Sequence, residues 1–240
     1  MNGGATGRTL TWLEGDRRVG LRLTADGPGP RWEGFPPGDL GINCPVPSEV
    51  EAESLLTVPL SKGLWVLDLV GVELGDPVLL IGALPIARIC LLATTLAGAH
   101  PRQWVRRFDP DEGLEIAAEA VRAASRPSTF IVADHHPETL QAVLAILDRG
   151  DTVLVANASP GPTDFVPYRD LLVTRARVIA LPPRLSAWPG ESSDAWLSRA
   201  ARATRRISPE LLSDVVFEAN TSGEAGQALT RGFLVAEART

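Results

Sequence analysis

Lysine is nearly missing from this 240-residue chain: Lys62 is the single one, and Arg supplies every other cationic side chain. With the abundance of Ala, Gly, Pro and Val, that reads as the coding bias of a high-GC bacterial genome and says nothing about mechanism. Cysteine is almost as scarce. Cys44 and Cys90 cannot build a disulfide framework, and Cys90 falls inside an apolar helical run. A reducing cytoplasm is the simplest setting. No cationic start leads into an apolar core, so no signal peptide is expected. No apolar run reaches the roughly 20 residues that span a bilayer, which argues against a membrane role. Positive charge is not in excess: the formal net charge is -6. No basic stripe with interleaved aromatics is present, so there is no electrostatic case for nucleic acid. What remains is an ordinary apolar fraction and a length sufficient for one proper core, with room for a small appendage.

The chain is organised around Pro77-Val78-Leu79-Leu80-Ile81-Gly82-Ala83-Leu84-Pro85-Ile86-Ala87. Four apolar residues, Val78 to Ile81, predict a buried strand, and Gly82 punctuates it. An apolar helical run follows from Ile86 to Ala97 and stops at Gly98. Before this, Arg8 to Leu13 and Val19 to Leu23 alternate around Glu14-Gly15-Asp16 and predict a hairpin. Residues 25–47 are dense in Gly and Pro and read as irregular chain. Ser48 with Glu51 has the spacing of a capping box, and Leu60 to Val70 continues as a helix. After Gly98, strands are expected at Gln103–Val105, Thr129–Ala133, Thr152–Ala156 and Arg177–Leu181. Helices are expected from Asp109 to about Ala124, Glu138 to Leu147 and Asp194 to Arg205. Another should start at Ser208, and Gly232 to Ala236 is a candidate last strand. The alternation from 77 to 181 predicts an α/β fold: a Rossmann-like parallel sheet flanked by helices, with a small irregular N-terminal β/loop region. The expected division is residues 1–50, a hairpin and Gly/Pro-rich segment, and residues 51–240, the Rossmann-like domain with C-terminal helices.

Several stretches in one order resemble the medium-chain dehydrogenase/reductase superfamily, the zinc-type alcohol dehydrogenases and their relatives. Leu64 to Ala87, ending in VELGDPVLLIGALPIA, is similar to that family's approach helix, turn and glycine-rich strand-turn. Phe108-Asp109-Pro110 to Ala117, Pro137 to Leu140, Arg149 to Val155 and Ile207 to Leu229 resemble later pieces, and Arg8 to Leu23 weakly resembles the opening hairpin. The resemblance implies a dinucleotide-binding scaffold. Three departures bear on chemistry. The GroES-like catalytic half is mostly missing, and Cys44, Cys90, His100, His135 and His136 lack the family's ligand motifs, so no zinc site is expected. The fingerprint G-x-G-x-x-G retains only Gly82, with Leu84 and Ala87 at the second and third glycines. The interval from Ala124 to Thr129 is too short for another strand-helix unit.

The candidate residues follow strand ends, where open α/β sheets bind ligands. Gly82 and Leu84 stand at the pyrophosphate turn. Arg106 and Arg107 end the second strand, where an arginine near the 2'-phosphate reads as NADP preference; a solvated arginine pair is the bland alternative. Asp134, His135 and His136 follow the third strand, and a carboxylate with imidazoles suits acid–base work near neutral pH. Capping and exposed loop histidines are the alternative. Asn157 and Ser159 end the next strand and suit substrate orientation, or plain turn chemistry. Trp12, Trp32 and Trp65 are better read as core than as pocket walls.

Three functional readings stay open. The first is a zinc-free enzyme of bacterial specialised metabolism on a degenerate dehydrogenase scaffold. It would transform a small molecule without redox chemistry, by cyclisation, isomerisation or dehydration, and need no cofactor. The second is an NADP(H)-dependent oxidoreductase without zinc. The third is a pseudoenzyme that binds a partner protein. The resemblance also implies a homodimer through the strand Arg177–Leu181, since an exposed strand edge is otherwise a liability. Light scattering at micromolar protein is expected to give twice the chain mass; a monomer mass overturns this.

Overall fold

Short apolar runs bounded by turn residues become strands here because both of their faces are covered. In the computed structural model, which describes residues 9–14, 16–24, 30–35, 43–45, 55–82, 84–104, 129–133, 137–156, 175–181 and 193–237, the chain divides into two units. One comprises residues 66–183, the other residues 1–65 with 184–240.

The unit of residues 66–183 is built on β5 (Pro77–Ile81), β6 (His100–Trp104), β7 (Thr129–Val132), β8 (Thr152–Val155) and β9 (Arg177–Ala180), all parallel, in the order β6-β5-β7-β8-β9. Alternate residues Leu79, Ile81, Phe130, Val132 and Val153 share a core with Val143, Leu144 and Leu147 of the segment containing α3 (Pro137–Ile146). Val78, Leu80, Ile131 and Leu154, on the other face, are buried as well. That two-sided burial is what uninterrupted apolar strands require. Helix α2 (Pro85–Leu96) connects β5 to β6. It ends as expected at Gly98, which takes φ +74° while Ala99 donates to the Thr94 carbonyl at 3.1 Å. β9 closes one edge of the sheet, with Arg177, Val178 and Ala180 exposed. This is the strand on which the homodimer expectation rests.

β6 begins three residues before the sequence reading placed it. Parallel pairing with β5 sets Pro77 opposite His100 and so recruits His100-Pro101-Arg102, which carry no strand pattern of their own. The expected helices from Asp109 and from Ser48 lie outside the described residues. Helix α1 (Thr57–Val70) covers the helix expected from Leu60 and starts three residues earlier.

The other unit contains a six-stranded sheet in the order β10-β11-β1-β2-β3-β4. The expected hairpin is β1 (Thr9–Glu14) and β2 (Arg17–Thr24). β3 (Arg31–Phe35) and β4 (Asn43–Pro45) fall inside the stretch read as irregular. The C-terminal segment adds α4 (Ser193–Thr204), α5 (Pro209–Ser213), β10 (Val216–Ala219), α6 (Ser222–Thr230) and β11 (Leu234–Glu237). β11 pairs antiparallel with β1, Thr9 opposite Glu237, and Arg18 forms an ion pair with Glu237. The expected division put β1 and β11 on opposite sides of residue 50; here they pair within one sheet. The C-terminal elements belong with the N-terminal strands because β1 has an edge that β11 satisfies. No helix among the described residues is long and apolar enough to cross a membrane.

Candidate functional site

The strand order reverses at β5: the chain passes from β5 to β6 on one side and returns to β7 on the other. Open parallel sheets bind ligands at this switch point, beyond the carboxyl ends of the strands. Those ends are laced together. Ala133 donates to the Ile81 carbonyl at 2.7 Å, Ala156 to Val132 at 2.8 Å and Leu181 to Val155 at 2.8 Å. Gly82 leaves β5 with φ +108°, a conformation that favours glycine, so its place in the turn is a backbone requirement.

Leu84 is the N-cap of α2, with φ -71° and ψ 150°. Those are ordinary angles for an L-residue, which is why leucine is tolerated where the fingerprint has glycine. Its side chain is 5% exposed. The consequence lies in the donors. A helix N-terminus receives anions through its first unpaired amides. Here the Leu84 amide donates to the Ala133 carbonyl at 3.1 Å, Pro85 has no N–H, and Ala87 donates to the Leu84 carbonyl at 2.9 Å. Ile86, fully buried, is the remaining first-turn amide. The second glycine of a dinucleotide turn lets the backbone approach a pyrophosphate. In this turn a side chain replaces it and the amide beside it is engaged, so the turn does not fit a pyrophosphate in the ordinary way.

Of the sequence candidates, Gly82 and Leu84 are described and meet at this turn. Arg106, Arg107, Asp134, His135, His136, Asn157 and Ser159 lie outside the described residues. Each group nevertheless follows the carboxyl end of β6, β7 or β8, and parallel strands bring those ends to one edge of the sheet. Cys90 is sealed within α2. Among the described residues no three His, Cys, Asp or Glu side chains gather in a metal-binding group. Sequence reasoning passed over Lys62, which the structure buries in α1.

Solved structures of a zinc-dependent alcohol dehydrogenase from Streptococcus pneumonia and of other dehydrogenases share this fold. No family model matches the chain. Galactitol-1-phosphate dehydrogenase from Escherichia coli superposes with a TM-score of 0.63 at 14% identity, over 82% of this chain and 64% of that one. Quinone oxidoreductase from Thermus thermophilus, solved with and without NADPH, superposes with a TM-score of 0.57 at 14% identity, over 97% of this chain and 92% of that one. In sequence, the chain is 46% identical over 70 residues to L-arabinitol 4-dehydrogenase of Talaromyces emersonii, a match covering 29% of this chain. It spans 17% of the length of that relative.

Proposed function

We propose that this chain is a small-molecule-transforming enzyme that uses the switch-point crevice of a dehydrogenase scaffold for proton-transfer chemistry, without zinc and without hydride transfer. Cyclisation, isomerisation and dehydration are the reaction types meant. The observation that carries the reading is the α2 turn, where Leu84 replaces the close-approach glycine and commits its amide to Ala133. Asp134, His135 and His136, directly after β7, are the acid–base groups of the proposal, and Asn157 and Ser159, directly after β8, orient the substrate. A place in specialised metabolism follows from the eroded fingerprint.

The second reading, an NADP(H)-dependent oxidoreductase, is favoured by the likeness to dehydrogenases and to a quinone oxidoreductase solved with NADPH, and by Arg106 and Arg107 at the second strand's exit. Calorimetric titration separates the two. The wild-type chain is expected to bind NADH and NADPH more weakly than about 10 μM, near -7 kcal/mol. Leu84→Gly is expected to tighten NADPH binding about tenfold, or roughly 1.4 kcal/mol, because it removes the side chain at the pyrophosphate approach. Wild-type binding of NADPH tighter than that limit hands the case to the oxidoreductase.

The zinc-free part of the proposal is checked by elemental analysis of protein purified without chelator. Well under one zinc per chain is expected. A stoichiometric complement, in the roughly one-to-one ratio of a tight site, overturns it.

A further inference from the structure

Among the described strands, the six-stranded sheet ends on one side at β10, which pairs with β11 alone. The register decides what its other side offers. Leu234 donates to the Val215 carbonyl at 3.0 Å, and Val216 stands opposite Leu234. In a parallel ladder this turns the backbone groups of Val215, Phe217 and Ala219 toward β11. The N–H and C=O groups of Val216 and Glu218 therefore lie along the open edge. The next amide is already taken: Asn220 donates to Glu224 Oε2 at 3.1 Å. Native proteins blunt such edges with lysine, proline or a covering element. β10 is Val-Phe-Glu-Ala, and its one charge is the Glu218 carboxylate.

The side chains around this edge are apolar and of one charge. Phe217 shares with Val235 the face that Ala225, Ala228 and Leu229 of α6 cover. Standing on the outermost strand, it is still 37% exposed, and Leu212 of the preceding α5 is 38% exposed. From Ile207 to Thr230 the chain carries four carboxylates, Glu210, Asp214, Glu218 and Glu224, and no Lys, Arg or His. All of them are exposed. A second copy would set this acidic edge against itself, and like charges across a strand pair are destabilising. A cationic strand meets opposite charge instead.

We propose that the open edge of β10 docks an extended segment of a partner protein, one in which Arg or Lys alternates with apolar residues. The segment adds to the sheet as a further strand, and its main chain takes up the free groups of Val216 and Glu218. Successive residues of β10 lie on opposite faces, so the partner's alternation matches it: apolar residues beside Phe217, cations beside Glu218. The surface belongs to the unit of residues 1–65 and 184–240, and it does not depend on the crevice reading.

The probe is a dye-labelled, end-capped hexapeptide alternating Arg and Val, added to the full-length chain and followed by fluorescence anisotropy. Binding at roughly 10–100 μM is expected at low salt, weakening as salt is raised. Glu218→Lys is expected to weaken it about fivefold or more by turning attraction into repulsion. Val216→Pro removes an N–H from the open edge and none from the β11 ladder. It is expected to weaken binding about tenfold, as loss of one good hydrogen bond does, at an unchanged melting temperature. Should that variant fold poorly, a peptide N-methylated at alternate residues makes the same test without touching the protein, since it keeps its charge and loses its donors; it is expected not to bind. No binding of the parent peptide at about 1 mM overturns the proposal. Equal binding of the N-methylated peptide also overturns it, reducing the contact to charge attraction without strand addition. Self-association of the chain that Val216→Pro abolishes puts a second copy on the edge and overturns it as well.

Discussion

Phe130→Ala is expected to lower stability by about 3–5 kcal/mol. Phe130 is fully buried in β7, the strand between β5 and β8, and packs with Leu79, Ile81, Val132, Val143, Leu144, Leu147 and Val153. Interiors are packed near crystal density, so the ring's neighbours cannot close over the space it leaves. A typical domain has only about 5–15 kcal/mol in hand, so this one change removes a large share. Urea unfolding is expected to show a lower midpoint with an unchanged slope. Phe217→Ala is the control. Phe217 is 37% exposed on β10, where its ring meets Phe233 edge-on at 6.2 Å, and its loss is expected to cost less than half as much. Equal losses at the two positions would refute the packing argument.

That Phe130 sits in the core was legible before any coordinates. Thr129-Phe130-Ile131-Val132 is a short apolar run between turn residues, as are Val78 to Ile81 and Thr152 to Val155, and two-sided burial writes itself into sequence as uninterrupted hydrophobicity. Gly98 was legible for a local reason too, since a helix stop is a few residues of backbone chemistry. The misses share a different cause. β3 and β4 lie in Gly/Pro-rich chain and owe their conformation to the edge of β2, which their own residues do not announce. β10 is short and pairs only with β11, and the place of β11, the candidate last strand, beside β1 rests on a partner more than two hundred residues away in the chain. β6 took its start from register with β5. The candidate site divides along the same line. Gly82 and Leu84 could be found by position in the turn. That the Leu84 amide is spent on Ala133 could not, because the acceptor comes from another strand. The burial of Lys62 was equally invisible in composition.

Replacing one of the two histidines after β7 by alanine is expected to lower turnover about 10²-fold or more, as removal of a general acid or base does, while replacing the other leaves it near wild type. The argument is positional. β7 remains tied to β5 as far as Ala133, whose amide donates to the Ile81 carbonyl, and α3 begins at Pro137. Asp134, His135 and His136 are thus the whole connection between a strand end at the switch point and the next helix. Adjacent residues rarely address one target, so one imidazole at most is expected to act. An imidazole titrates near neutrality without unusual shifts, which is what proton transfer at physiological pH asks for. Asp134→Asn separates two roles for the carboxylate. Lower turnover at an unchanged melting temperature means that it orients the ring; a lower melting temperature at full turnover means that it caps α3. The measurement is turnover and melting temperature for each variant, on a substrate drawn from a panel of small hydroxy and carbonyl compounds. Full turnover in the double His135→Ala, His136→Ala variant removes acid–base chemistry from this connection, and the proton transfer then has to come from elsewhere on the same edge of the sheet.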